Sequence, residues 1–446
     1  MISFARRVLL LAAAVTVLSL TTPAQAAMKI ERVVSPGGIE AWLVSDPSVP
    51  LIAMNFAFRG GANQDPTGKP GVAYMTSGMM DEGAGDLDAK AFQSRAERNA
   101  VELSFTTHRD EMRGSLKVLT ARKDEGFDLL RLAVTSPRFD QDAIERVRAQ
   151  ILAVLRRETT NPNDIGSRLW WRTAFPEHPY GRPTNGTLES VPTIAQQDLR
   201  DYTKRVFARD RLKIAVVGDI DAKTLGPVLD RIFGALPEKA ELQAVPSAKM
   251  DAVGKKIFVP LDVPQAVVNF GGVGIPRQDP DFIPAYIVNH ILGGGSFSSR
   301  LYREVREKRG LAYSVYSYLL PLDVAALFMG GTQTRADKAD ETVKLIESEI
   351  RRLSESGPTA EELQKSKSYL KGAYALNFDT STKIANLLVQ IQLDDLGIDY
   401  IERRNGLIEA VTLDDVKRVA KRLLDGGILV TVVGRPQGEK GAQQGG

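Results

Sequence analysis

Hydrolytic chemistry leans most on histidine, and this chain of 446 residues has three: His108, His178 and His290. None has a second histidine or a His-x-x-Glu partner at ligand spacing, so the three read as solvated or packed side chains rather than a metal site. There is no cysteine. A disulfide framework, a cysteine nucleophile and a thiolate metal site are excluded. Gly293, Gly294 and Gly295 form a glycine run, but no Gly-Lys-Ser/Thr follows to make a phosphate loop. Ser296 lacks the Gly-x-Ser-x-Gly frame of a nucleophile elbow. The run reads as a turn that lets backbone approach a peptide, or as tight packing.

These residues sit in a chain of ordinary globular composition, 43% hydrophobic and 25% charged. The net charge of +3 implies no field for nucleic acid. The N-terminus has the layout of a secretory signal peptide over residues 1–26. Arg6 and Arg7 precede an apolar run from Val8 to Leu20, and Ala24-Gln25-Ala26 follows as a small-x-small cleavage site. The run is shorter than the roughly 20 residues of a spanning helix. No later segment is long and apolar enough to span, so stable membrane insertion is not expected.

The chain is written twice. Val49 to Pro66 reads VPLIAMNFAFRGGANQDP and Val263 to Pro280 reads VPQAVVNFGGVGIPRQDP, identical at eight of eighteen positions without a gap. The copies close alike, with KIAVVG from Lys213 and LVTVVG from Leu429. Each close is preceded by a helix that the sequence opens at a threonine cap, Thr193 or Thr412. Ile52, Met54, Phe56 and Phe58 alternate as a strand. Ile144, Val147, Ile151, Val154 and Leu155 make one helical face. Thr359 and Glu362 form a capping box after the Gly357-Pro358 breaker. Runs of strands followed by helices predict an α+β fold of two homologous domains, each a mostly antiparallel sheet with helices packed on it. The boundaries read as 28–237 and 257–435, with a linker at 238–256 and a polar, glycine-rich tail at 436–446 that reads as disordered.

Several stretches resemble the pitrilysin/insulinase family of zinc peptidases, in its bacterial branch related to mitochondrial processing peptidase. They are GVAYMTSGMMDEGAG from Gly71, FPEHPYGRPTNGTLESVPTI from Phe175, VVGDID from Val216 and LGGGSFSSRLYREVREKRGLAYSVYS from Leu292. Members with an intact site carry His-x-x-Glu-His on a helix, two imidazoles for zinc and a glutamate base. The matching residues here are Tyr74, Ser77 and Gly78. A further glutamate ligand would fall near Val154, where no carboxylate stands between Glu145 and Glu158. The resemblance therefore implies a subunit without zinc. The family's substrate-strand Asn-Ala pair is likewise replaced, by Leu103-Ser104.

What the resemblance retains is an arginine and a tyrosine seven residues apart, Arg306 and Tyr313. Phe297, Leu301 and Val305 recur every four residues as an amphipathic helix, Gly310 is placed to end it, and Tyr313 falls early on the next strand. Family members use such a pair to reach a zinc-bound substrate. A phenolic hydroxyl can donate to a developing oxyanion, and a guanidinium can hold a carbonyl or carboxylate in a fixed fork. The expectation is a periplasmic subunit that pairs with a zinc-bearing homologue and helps hydrolyse peptides, inactive alone. The other reading is a non-catalytic scaffold or peptide-binding module.

Overall fold

The computed structural model describes residues 28–434. The expected signal peptide and C-terminal tail lie outside the described residues. Two sheets dominate. In the first half, strands β1 (Glu31–Val34), β2 (Glu40–Ser45), β3 (Leu51–Arg59), β4 (Glu102–Thr107), β5 (Glu111–Leu119) and β6 (Leu212–Gly218) lie in the order β1-β2-β6-β3-β5-β4. In the second, β7 (Lys256–Val259), β8 (Gln265–Val273), β9 (Ala312–Pro321), β10 (Ala326–Arg335) and β11 (Leu429–Val433) lie in the order β9-β10-β8-β11-β7. Only β2–β6 and β11–β7 pair in parallel, so both sheets are mostly antiparallel. The repeated segments become β3 and β8, and the matching closes become β6 and β11, each hydrogen-bonded beside its partner.

Helices of each half cover one face of its own sheet. Phe56, Phe58 and Ile52 of β3 meet Phe127, Leu130, Leu199 and Phe233 in one buried cluster, and Phe270 and Val268 of β8 meet an equivalent one. The other face of each sheet is covered by a helix from the other half. Pro162–Ala174 lies on β8 and β11, and Ser381–Leu393 lies on β3 and β6. This is why β3 is buried on both sides, Ala53 and Ala57 included, although its sequence alternates like a half-exposed strand. Trp42, Val44, Ala57 and Val217 pack against Leu388, Val389 and Ile391. Trp170, Trp171 and Phe175 pack against Leu327, Met329 and Leu429. The repeated Asn-Phe pair divides the labour: phenylalanine faces its own core, while Asn55 faces Asn386 and Asn269 faces Gly166 of the incoming helices. A Cβ on Gly166 would come within 2.6 Å of the Asn269 amide nitrogen, so glycine lets the helix come this close without moving that side chain.

Two expectations are corrected. Thr193 does not cap the following helix. It lies in a 3₁₀ turn, and Gln196–Val206 opens at Ala195, whose backbone N–H donates to Asp198. Thr412 does cap its helix, with Asp415 returning the bond, and Thr359 with Glu362 forms the expected box. Phe297 is 72% exposed on a 3₁₀ turn and shares no helical face with buried Leu301 and Val305. His108 lies in the turn between β4 and β5.

All three tryptophans stand in the two clusters that join the halves. Leu388→Ala, a cavity made by one half against the other's sheet, should cost about 2–5 kcal/mol. In urea, tryptophan fluorescence and far-UV circular dichroism should still fall in one coincident transition at a lower midpoint. Separated transitions would show that the halves do not fold as one unit.

Candidate functional site

The helix aligned with the zinc motif is short, Val72–Ser77, and ends at Gly78. Tyr74 is partly exposed on it. Ser77 is buried, and its hydroxyl is spent on the Tyr74 carbonyl at 2.7 Å. Gly78 has no side chain to offer. A phenol, a committed hydroxyl and a glycine are not a zinc donor set, and Val154 on the helix Gln141–Glu158 adds none. Among the described residues, no group of three or more His, Cys, Asp or Glu is placed to hold a metal ion. The residues present do not fit zinc.

Tyr74 opens instead onto a cavity of about 280 Å³ in the first half. Its wall holds Glu158 at the end of the helix Gln141–Glu158, and residues to which the sequence drew no attention individually: Arg109 from the β4–β5 turn, Arg168 and Trp171 from the helix Pro162–Ala174, and Arg182 and Asn185 from the loop that follows. Arg182 and Asn185 lie inside the FPEHPYGRPTNG stretch, which carried a resemblance but no chemistry. No local pattern singles out Arg109. Glu158 is ion-paired to Arg168 and accepts from the Asn185 amide at 3.0 Å.

Arg306 and Tyr313 come together, but away from that cavity, whose wall they do not line. Tyr302–Glu307 is a π-helical turn, with Lys308 N–H reaching the Arg303 carbonyl five residues back at 3.0 Å. It carries Arg306 over two rings at once, 4.8 Å from the Tyr302 centroid and 4.7 Å from that of Tyr313. One guanidinium nitrogen of Arg306 also donates to the Tyr302 hydroxyl. The chain then turns at Gly310, whose φ of +59° suits glycine, and enters β9, the edge strand of its sheet. Tyr313 stands 83% exposed in an irregular stretch at the start of that strand, its ring touched by Arg306.

Gly293 and Gly294 belong to a second π-helical turn, His290–Gly294, rather than to an open loop, and Gly295 follows it. A Cβ on Gly293 would lie 2.5 Å from the Ser317 hydroxyl of β9, so this glycine serves close helix-to-strand packing. His290 is buried beside it and bonds the Ser366 hydroxyl through Nδ1 at 2.9 Å. Burial pushes its pKa down, as expected of a packed histidine. His178 bonds the Pro246 carbonyl through Nε2 at 2.9 Å and caps a turn.

The purified chain, exchanged into metal-free buffer, should hold far less than one zinc per chain by elemental analysis. One tightly held zinc per chain would contradict the donor set described.

Comparison with known proteins bears on both halves. The family described as insulinase, peptidase family M16, matches residues 41–188, and the peptidase M16 inactive domain matches residues 193–370. A Helicobacter pylori protein named "Non-peptidase homolog YmxG" is 26% identical over 374 residues, 84% of this chain and 86% of that one. The crystal structure of a peptidase M16 inactive domain from Pseudomonas fluorescens superposes with a TM-score of 0.86 at 27% identity, covering 91% of this chain and 98% of that one. A chain of complex III2 from Candida albicans shares the fold, with a TM-score of 0.75 at 17% identity over 91% of this chain and 96% of that one. With both halves matched and the metal-motif helix emptied of donors, this chain belongs to the insulinase family, peptidase family M16, as a homologue of the inactive type.

Proposed function

We propose that this chain is the zinc-free subunit of a heteromeric periplasmic metallopeptidase and lends Arg306 and Tyr313 to peptide hydrolysis at a zinc-bearing homologue. The observation that carries the reading is the disposition of the pair. Tyr313 is displayed at the head of an edge strand, with its ring against a guanidinium that two tyrosines hold in place. The chain's own vestigial motif lies on another cavity. A pair with no use in its own half-site suits a site supplied from outside.

Hydrolysis of an amide builds negative charge on the carbonyl oxygen. The Tyr313 hydroxyl donates a hydrogen bond to that oxygen, strongest when the charge is greatest. The Arg306 guanidinium, stacked and so restricted in rotamer, holds a substrate carbonyl or carboxylate before and during the reaction. The partner supplies the metal and the attacking water. Export by residues 1–26 would place this chain in the periplasm, where its zinc-bearing partner would also have to be.

The test is steady-state kinetics on the reconstituted pair, with a thermal melt of each variant. Tyr313→Phe should leave the fold intact and lower kcat roughly 10²–10³-fold, with a smaller change in KM. Arg306→Ala should raise KM and lower kcat together. Full kcat in a well-folded Tyr313→Phe complex would favour the scaffold reading instead.

A further inference from the structure

The cavity beside Tyr74 has an uneven charge. Three arginines line it, Arg109, Arg168 and Arg182, against two carboxylates, Glu158 and Asp164. Arg168 is matched by Glu158 and Asn185. Asp164 feels Glu158, Arg168 and Arg157, so it belongs to that same side of the cavity. The arginines of the opposite side, Arg109 and Arg182, form no ion pair among the described residues, although the carboxylates of Asp110 and Asp65 lie near them.

Arg109 lies flat on Trp171, its guanidinium carbon 3.4 Å from the ring centroid. Its one hydrogen bond runs from Nε to the Tyr180 carbonyl at 3.3 Å, which leaves both terminal nitrogens without a partner among the described residues. The neighbouring carboxylate does not bond it. Asp110 is occupied by the Tyr180 hydroxyl at 2.6 Å, the Asn63 amide at 2.9 Å and the Asp323 N–H at 3.0 Å. Burial pushes the Arg109 guanidinium down to about 10, against the raising pull of the nearby Asp110 carboxylate, and it stays charged at neutral pH. Arg182 is little better served, with one long bond of 3.4 Å to the Asp65 carbonyl. The nearby Asp65 carboxyl is bound by the Gly71 and Ala73 N–H groups at 2.7 Å. A guanidinium stacked on an aromatic ring keeps its edge free for two parallel bonds, the geometry that a carboxylate accepts.

We propose that this cavity binds a carboxylate, carried by a peptide's C-terminus or by an acidic side chain, through the free edge of Arg109 assisted by Arg182. Trp171 and Tyr74 line the space beside it. The chain would thus have turned the vestige of a metal centre into an anion site. The carboxylate chemistry rests on the cavity alone, whereas the peptide as its carrier rests on the reading of the chain as a peptidase subunit. Binding here needs no partner subunit, so its failure is distinct from a failure of the kinetic test above.

The experiment uses the purified full chain and three probes: N-acetyl-trialanine with a free carboxylate, its C-terminal amide, and N-acetyl-Ala-Glu-Ala amide. Isothermal titration gives the affinity, and tryptophan emission reports on Trp171 beneath Arg109. Both carboxylate-bearing probes should bind at least about ten-fold more tightly than the neutral amide, and added salt should weaken them. Arg109→Gln should weaken both at least about ten-fold with the melting temperature little changed. Arg109→Lys, which keeps the charge but loses the fork, should fall between. If Arg109→Gln does not fold, Arg182→Gln decides, with a several-fold loss expected. Equal binding of acid and amide, no binding of either acid at millimolar concentration, or undiminished binding by a folded Arg109→Gln or Arg182→Gln chain would each overturn the proposal.

Discussion

Each sheet of this protein has two apolar faces, and the helices of its own half cover one. The exchange of Pro162–Ala174 and Ser381–Leu393 between the halves closes the other two. Without it, Trp42, Ala57 and Val217 on one sheet and Leu327, Met329 and Leu429 on the other would meet water. The exchange is near symmetric, as the duplicated sequence demands: thirteen residues are lent each way, against equivalent strands.

The same helix that seals the second sheet builds the candidate anion cavity. Trp170 turns toward β11 and gives its indole N–H to the Leu429 carbonyl at 3.2 Å. Trp171, one residue on, lies beneath Arg109, and Arg168 holds Glu158 in the opposite wall. Successive residues on a helix point about 100° apart, so one element serves both an interface and a site. A shift of this helix on its foreign sheet would move the floor under Arg109.

Asp110 fixes the turn from which Arg109 projects. It sits at the junction of the halves, pushed up to about 6 by burial, yet bonded by the Tyr180 hydroxyl and by the N–H of Asp323 from the other half. Tyr180 in turn accepts from the Val324 N–H at 3.2 Å. Arg59 adds a pair with Asp323 at 3.0 Å and a bond to the Leu393 carbonyl. This polar knot is spread over 59–393, and its bonds from Asp110, Tyr180 and Arg59 to Asp323, Val324 and Leu393 form only when the halves are closed.

The sequence by itself determined the duplication, the α+β class and the loss of the zinc donors, because these rest on residue identity and short-range period. Arg306 and Tyr313 were singled out through the family resemblance, and the structure brings them together because they stand on either side of one turn. Local rules failed where a neighbour from afar decided. Thr193 could cap, but the chain around it turns before the helix begins. Phe297 has helical spacing, but lies on a separate turn at the surface. The alternation of β3 marks a one-sided strand, and only the foreign helix buries its second face. The glycine run left a peptide-facing turn and tight packing both open, because sequence shows no trace of Ser317 crossing behind Gly293. Arg109 lies far from Trp171 and Arg182 in the chain, and their common cavity exists only once two helices, a strand turn and a loop are packed together. An unpaired guanidinium is a property of what surrounds it, and that the tertiary structure alone decides.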